Sequence, residues 1–148
     1  MILTRHAAPA DWPRVWPLLQ GMGTRDAEAV VRRRFDAVMA DAQWLVVVAE
    51  IDGEVLGYAA AQDHGDHLRT GRLGRVARLH DLYVDPTVRR GGVGRALMAA
   101  VVGWAEGRVG YLQWQAHESD AAPFYERLGY HGEACPQPDY PEFEIAFE

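Results

Sequence analysis

Apolar residues recur along this chain at two spacings, and the spacings divide it into strands and helices. Residues 2–5 predict a short first strand. From Ala10 onward Trp12, Val15, Trp16, Leu18 and Leu19 recur every three or four positions, the stripe of an amphipathic helix, with Pro13 in its first turn, where a missing N–H does no harm. Gly21-Met22-Gly23-Thr24 ends that helix, and Thr24 or Asp26 is placed to cap a second one over residues 27–39. Residues 44–50 are almost continuously apolar and β-branched, as in a strand buried on both faces. Asp52-Gly53 predicts a two-residue hairpin turn, from which residues 54–60 return antiparallel. The polar stretch 62–75 predicts a loop, residues 79–84 a strand, and residues 96–106 a helix. Downstream, residues 111–116 predict a strand and residues 119–128 a short helix, with Ser119 as its N-cap and Gly129 as its left-handed exit. Two last strands, 130–134 and 143–147, flank the proline-rich loop 136–141. The order β-α-α-β-β-β-α-β-α-β-β predicts one mixed α/β (α+β) domain over residues 1–148. Its central sheet is mostly antiparallel, with about six to seven strands and about four flanking helices.

Between the strand at 79–84 and the helix that follows lies Arg89-Arg90-Gly91-Gly92-Val93-Gly94-Arg95. A strand that turns through glycines into a helix leaves backbone N–H groups without intrahelical partners, which makes an anion site. Glycines lack the Cβ atoms that would hold a phosphate away, and arginines grip phosphate oxygens in pairs. A P-loop needs Gly-Lys-Ser/Thr, and this chain has no lysine; a dinucleotide fingerprint begun at Gly92 needs glycine where Leu97 stands. What remains, Arg-x-x-Gly-x-Gly after Leu82-Tyr83-Val84-Asp85-Pro86, resembles the coenzyme A pyrophosphate loop of the GNAT superfamily of acetyl-CoA-dependent N-acyltransferases. A second stretch, from Glu118 through Ala121, Phe124, Tyr125, Leu128 and Gly129 to Tyr130, is similar to that family's later motif.

The resemblance implies a GNAT-like fold whose central strands splay apart to hold acetyl-CoA as a co-substrate, with no metal. It implies that the backbone of Leu82, Tyr83 and Val84 pairs with the pantetheine arm, opposite residues 114–116. Arg89, Arg90, Gly91, Gly92, Val93, Gly94 and Arg95 would then hold the diphosphate, and Glu118, Ala121 and Phe124 would add contacts from the later motif. Tyr125 stands at the family's tyrosine. A phenol with an ordinary pKa near 10 stays protonated beside a thiol near 8.5, so it serves as general acid to the leaving sulfur; the other reading of Tyr125 and Phe124 is as core aromatics. For the general base Asp81 comes first and His80 second, on opposite faces if strand alternation holds. His117 and Glu118 are further candidates, although Glu118 stands where the motif often has asparagine, and an amine that arrives neutral needs no base.

Composition narrows the rest. The chain is 49% hydrophobic and 24% charged, as in ordinary globular proteins. It has no apolar run of about twenty residues and no apolar core of a signal peptide near Met1, so the expected location is the cytoplasm. The single cysteine, Cys135, has no intramolecular partner. A formal net charge of −6 argues against nucleic acid and membrane as partners and favours a cationic acceptor. Asp63, His64, Asp66 and His67 form a His-x-x-His loop without a third fixed ligand, which reads as polar surface, and Arg32-Arg33-Arg34 reads as a solvated helix exterior. In the family, acceptor choice rests on segments that correspond here to residues 22–25, 63–72 and 137–142. Trp12, Trp16, Asp139, Tyr140 and Glu142 would give an aromatic, acidic lining; core packing is the other reading of the aromatics. The expected activity is acetyl transfer to the primary amine of a small cationic molecule, by direct attack in a ternary complex. The alternatives are a protein or peptide amine as acceptor, or a non-catalytic acyl-CoA-binding regulatory module, with a homodimer as one assembly open to the chain.

Overall fold

The computed structural model describes residues 1–116, 118–132, 139, 141 and 143–147, and it divides into two compact units, Met1–Trp114 and Gln115–Glu148. In the first unit the strands lie in sequence order: β1 (Ile2–His6), β2 (Trp44–Ile51), β3 (Glu54–Asp63), β4 (Val76–Val84) and β5 (Tyr111–Gln113). The first three ladders are antiparallel, and β4 and β5 are parallel. Parallel strands need a crossover, which α3 (Val93–Ala105) supplies. Between β2 and β3 both turn residues are left-handed, Asp52 at φ 51° and Gly53 at φ 82°, as a two-residue hairpin requires.

Helices cover both faces of the sheet, which is why β2 is apolar on both sides. Trp12, Val15 and Leu18 of α1 (Trp12–Gly21), with Val31 and Phe35 of α2 (Glu28–Met39), pack on Val46, Val48, Tyr58 and Ala60. On the other face α3 buries Val93, Leu97, Met98 and Val101. Its approach is close at Gly57, where a Cβ would stand 2.9 Å from Val93 Cγ1 and 3.1 Å from the Tyr83 carbonyl. In the second unit α4 (Ala122–Arg127) ends through Leu128 into Gly129 at φ 99°, the left-handed exit the sequence predicts.

Several boundaries differ from the sequence reading. Among the described residues the sheet has five strands, not six to seven. Residues 130–132 and 143–147 form no strand, and residues 133 and 134 lie outside the described residues, as does Cys135. Phe143, Ile145 and Phe147 alternate as a strand would, yet they are 90%, 75% and 89% exposed. Alternation names a face, but a strand also needs another strand's N–H and C=O groups. Neither Thr24 nor Asp26 caps α2: Ala27 holds that position, and Asp26 instead accepts a 2.6 Å bond from Arg34. Helix α4 starts at Ala122 and not at Ser119, so that Pro123 falls in the first turn, where it removes no helical bond. No helix among the described residues is long and apolar enough to cross a membrane.

Candidate active site

The turn after β4 is built from local bonds. Asp85 donates its amide to Leu56 O (2.7 Å) and accepts from Thr87 N (2.9 Å) and Thr87 Oγ1 (2.6 Å), which together hold its carboxyl below the usual range. Arg90 at φ 67° and Gly92 at φ 94° are both left-handed, and Gly92 is the N-cap of α3, with no side chain capping the helix. The amides of Gly92, Val93, Gly94 and Arg95 donate to no carbonyl or side chain among the described residues. Four N–H groups thus point away from the helix start, where its dipole favours negative charge. The arginines do not act as one group. Arg89 donates through Nε to Val84 O (3.1 Å) and lies over the Tyr83 ring at 5.4 Å, so this side chain and the Val84 carbonyl are engaged with each other.

Leading to that turn, β4 has one edge only partly paired. Val76, Ala77 and Arg78 pair with Tyr111, Leu112 and Gln113, and there the ladder ends. From Leu79 to Val84 that edge faces no strand among the described residues, while the other edge stays paired to β3 as far as Gly57–Val84. A strand edge that no strand among the described residues covers therefore runs into a helix N-terminus.

Opposite β3 the register slips: Ala60 pairs with Asp81 but Ala61 with Leu79, so His80 is a bulged extra residue. Strand alternation fails there. Asp81 Oδ2 accepts from the hydroxyl of Tyr58 (2.8 Å), which also lies 3.2 Å from Met22 Sδ at the end of α1. His80 Nε2 lies 3.1 Å from Gln62 Oε1, and its ring stacks on Trp44 at 5.1 Å. Trp44, Tyr58 and Gln62 share one face of the sheet, so His80 and Asp81 both project there, contrary to the opposite faces expected. Burial pushes the Tyr58 phenol up, and the Asp81 charge adds to that, so Tyr58 stays a donor. Partial desolvation, reinforced by Arg78 and His64, holds His80 below its ordinary value despite Asp81, leaving a neutral imidazole at pH 7. With Nε2–H given to Gln62, Nδ1 is its basic nitrogen.

The chain's relatives have the same architecture. A family model described as an acetyltransferase (GNAT) domain matches residues 42–132, well over half the chain. The chain belongs to the GNAT acetyltransferase family. Over 101 residues it is 35% identical to the aminoglycoside N(6')-acetyltransferase type 1 of Stenotrophomonas maltophilia, covering 68% of this chain and 65% of that protein's length. Two solved structures share the fold of this GNAT chain at low identity. The glucosamine-6-phosphate N-acetyltransferase of Arabidopsis thaliana is 16% identical with a TM-score of 0.77, covering 96% of this chain and 99% of that one. The aminoglycoside antibiotic 6'-N-acetyltransferase of Acinetobacter baumannii is 18% identical with a TM-score of 0.76, covering 99% and 100%.

Of the GNAT motif residues, Leu82, Tyr83 and Val84 lie on the free-edged part of β4, and residues 89–95 form the turn and the start of α3. Glu118, Ala121, Phe124 and Tyr125 belong to the second unit: Glu118 and Ala121 lie in exposed turns, and Phe124 meets Tyr125 edge to face at 5.0 Å. Tyr125 is buried, which raises its phenol. His117, Tyr140 and Glu142 lie outside the described residues, and Asp139 is exposed. Trp12 does not line a site; it is 2% exposed, stacked on Trp16 at 5.6 Å and packed on Phe35. Asp63 and Asp66 are taken by Arg75, with Asp63 accepting at 2.9 and 2.6 Å and Asp66 at 3.2 Å. Tyr58, Gln62 and Trp44 escape a sequence reading, because β2, β3 and β4 meet only through pairing, whereas Met22 falls in the segment 22–25 that the resemblance had marked. The one signal available was His80-Asp81 inside an otherwise apolar strand.

Proposed function

We propose that this GNAT chain transfers the acetyl group of acetyl-CoA to a primary amine of a small molecule. The observation that carries the reading is the edge of β4 from Leu79 to Val84, which among the described residues has no strand beside it and leads to the unpaired amides at the start of α3. An extended amide chain that ends in a diphosphate fits that sequence of donors and acceptors, through the backbone of Leu82 and the N–H of Val84, which face away from β3, and the amides of residues 92–95, with Arg90 and Arg95 as nearby cations. Acetyl-CoA supplies the acetyl group as an activated thioester. Asp81, its Oδ2 held by Tyr58, keeps Oδ1 to orient the amine and take its proton, with neutral His80 beside it on the same face. Tyr125 returns a proton to the sulfur as the carbon–sulfur bond breaks and the carbon–nitrogen bond forms. The relative from Stenotrophomonas maltophilia supports a small-molecule amine as acceptor. Its fold-mates act on acceptors as different as glucosamine-6-phosphate and aminoglycosides, so the fold alone does not choose among amines.

The test is calorimetric titration with acetyl-CoA beside a free-thiol release assay over a panel of amines. Micromolar binding and thiol release are expected, with Gly92→Val abolishing binding, since a β-branched residue is strained at φ 94° and would shift the turn that carries the amides. Unaltered affinity in Gly92→Val would overturn the placement of the diphosphate.

A further inference from the structure

Beside the candidate base the protein has a second feature. His64, Asp66, His67, Arg78 and Gln113 line a cavity of about 450 Å³ where β4 and β5 begin. Between His64 and Arg78 the chain has four arginines and two histidines against one acid, inside a protein whose net charge is −6. The acids nearby are already matched. Asp63 is buried and bonded by Arg75 and Arg108, and Asp66, which reaches the cavity, is paired with Arg75. Arg78 is different: half-buried, it has no hydrogen bond or ion pair among the described residues. It pairs across the sheet with Gln62 and Gln113, on the face that carries His80 and Asp81. The His64 ring, in the cavity wall, lies 6.4 Å from the His80 ring.

A half-buried arginine with no anion of its own leaves its guanidinium donors to a ligand carboxylate or phosphate, which would take paired, charge-assisted bonds. We propose that this cavity is an acceptor subsite for an anionic group, so that the acceptor is a small amine that also carries a carboxylate or a phosphate. The inference rests on the acetyl-transfer reading, and it adds a ruler. Arg78 and Asp81 are three strand positions apart on one face, so their Cα atoms lie within about 10 Å and their side chains can meet the two ends of one small molecule, such as an amino acid or an aminoalkyl phosphate. Such an acceptor places its anion on Arg78, with His64 and His67 as neighbouring donors, and its amine at Asp81.

Two measurements test this on the full chain. In the first, inorganic phosphate, and separately acetate, is titrated while the ring signals of His64 and His67 are followed by NMR. Millimolar phosphate or acetate should shift both; the shifts should vanish in Arg78→Gln and persist in Arg78→Lys. No shift, or the same shift in Arg78→Gln, overturns the subsite. In the second, kcat/KM is compared for 2-aminoethyl phosphate against ethanolamine, and for arginine against agmatine. The anionic member of at least one pair should be preferred by about tenfold or more, the phosphate pair or the carboxylate pair showing which anion fits, and Arg78→Gln should remove the preference. Equal turnover within both pairs overturns the subsite and leaves acetyl transfer standing. Failure to bind acetyl-CoA would sink the transfer reading, while the phosphate and acetate titrations would still decide the cavity.

Discussion

Two tyrosines have their phenols raised by burial, and the causes beside burial differ. The hydroxyl of Tyr58 is committed to Asp81 at 2.8 Å, so its work is to hold a carboxylate in place. Tyr125 has its phenol raised by desolvation alone, so it keeps its proton throughout the range in which a thiolate leaves. If it is the general acid, Tyr125→Phe lowers kcat by about 100-fold in single-turnover assays while acetyl-CoA affinity stays within about twofold. An unchanged kcat would leave Tyr125 as a packing residue, paired with Phe124. The sequence offered Tyr125 through its motif but gave no hint of Tyr58, since a hydrogen bond from residue 58 to residue 81 depends on strand pairing alone.

Among the elements, β4 and α3 were largely legible: an apolar run, then glycines, then a helical stripe. Their mutual fit was not. Gly57 lies in mid-strand, where glycine weakens a sheet, and its reason appears only against α3, whose Val93 and Leu97 come within 2.9 and 3.0 Å of where a Cβ would be. Gly57→Val should cost about 1–3 kcal/mol in urea denaturation through overpacking, and it should also weaken acetyl-CoA binding by shifting the first turn of α3. Full stability in this variant would mean that α3 is free to move. The bulge at His80 is likewise unreadable from one strand. A single extra residue turns a predicted two-faced pair into two neighbours on one face.

For the whole molecule, stability depends on two buried carboxylates that join distant segments. Asp11 is bonded by Arg5, which lowers its pKa, and Arg5 also reaches Glu50 at 2.6 Å. Burial by itself would raise Asp63, but bonds from Arg75, the Gly65 amide and Arg108 outweigh it and the net shift is down. A depressed carboxylate stabilises fully above its unfolded value, near 4, and loses that contribution as pH falls through the lower folded value. The contribution of these two carboxylates should therefore be constant from about pH 5 to 7 and decline below about pH 4, while the depressed His80 adds a decline of its own as pH falls below about 6.5. Asp63→Asn should lose about 3 kcal/mol at pH 7, since it leaves Arg75 only the exposed Asp66, and its further decline toward pH 3 should be shallower than wild type. A loss under about 1 kcal/mol would show that Asp63 is not the tie between the end of β3 and the start of β4. By itself the sequence determined what is local: the periods of its helices and strands, the hairpin at Asp52-Gly53, and a glycine turn whose amides had to point outward. Tertiary structure alone decided how many strands the sheet has, that His80 and Asp81 face the same way, and that Arg75 is spent while Arg78 is not. Each of these depends on which distant residue supplies the partner for a strand edge or a charge, and spacing along one chain does not encode that.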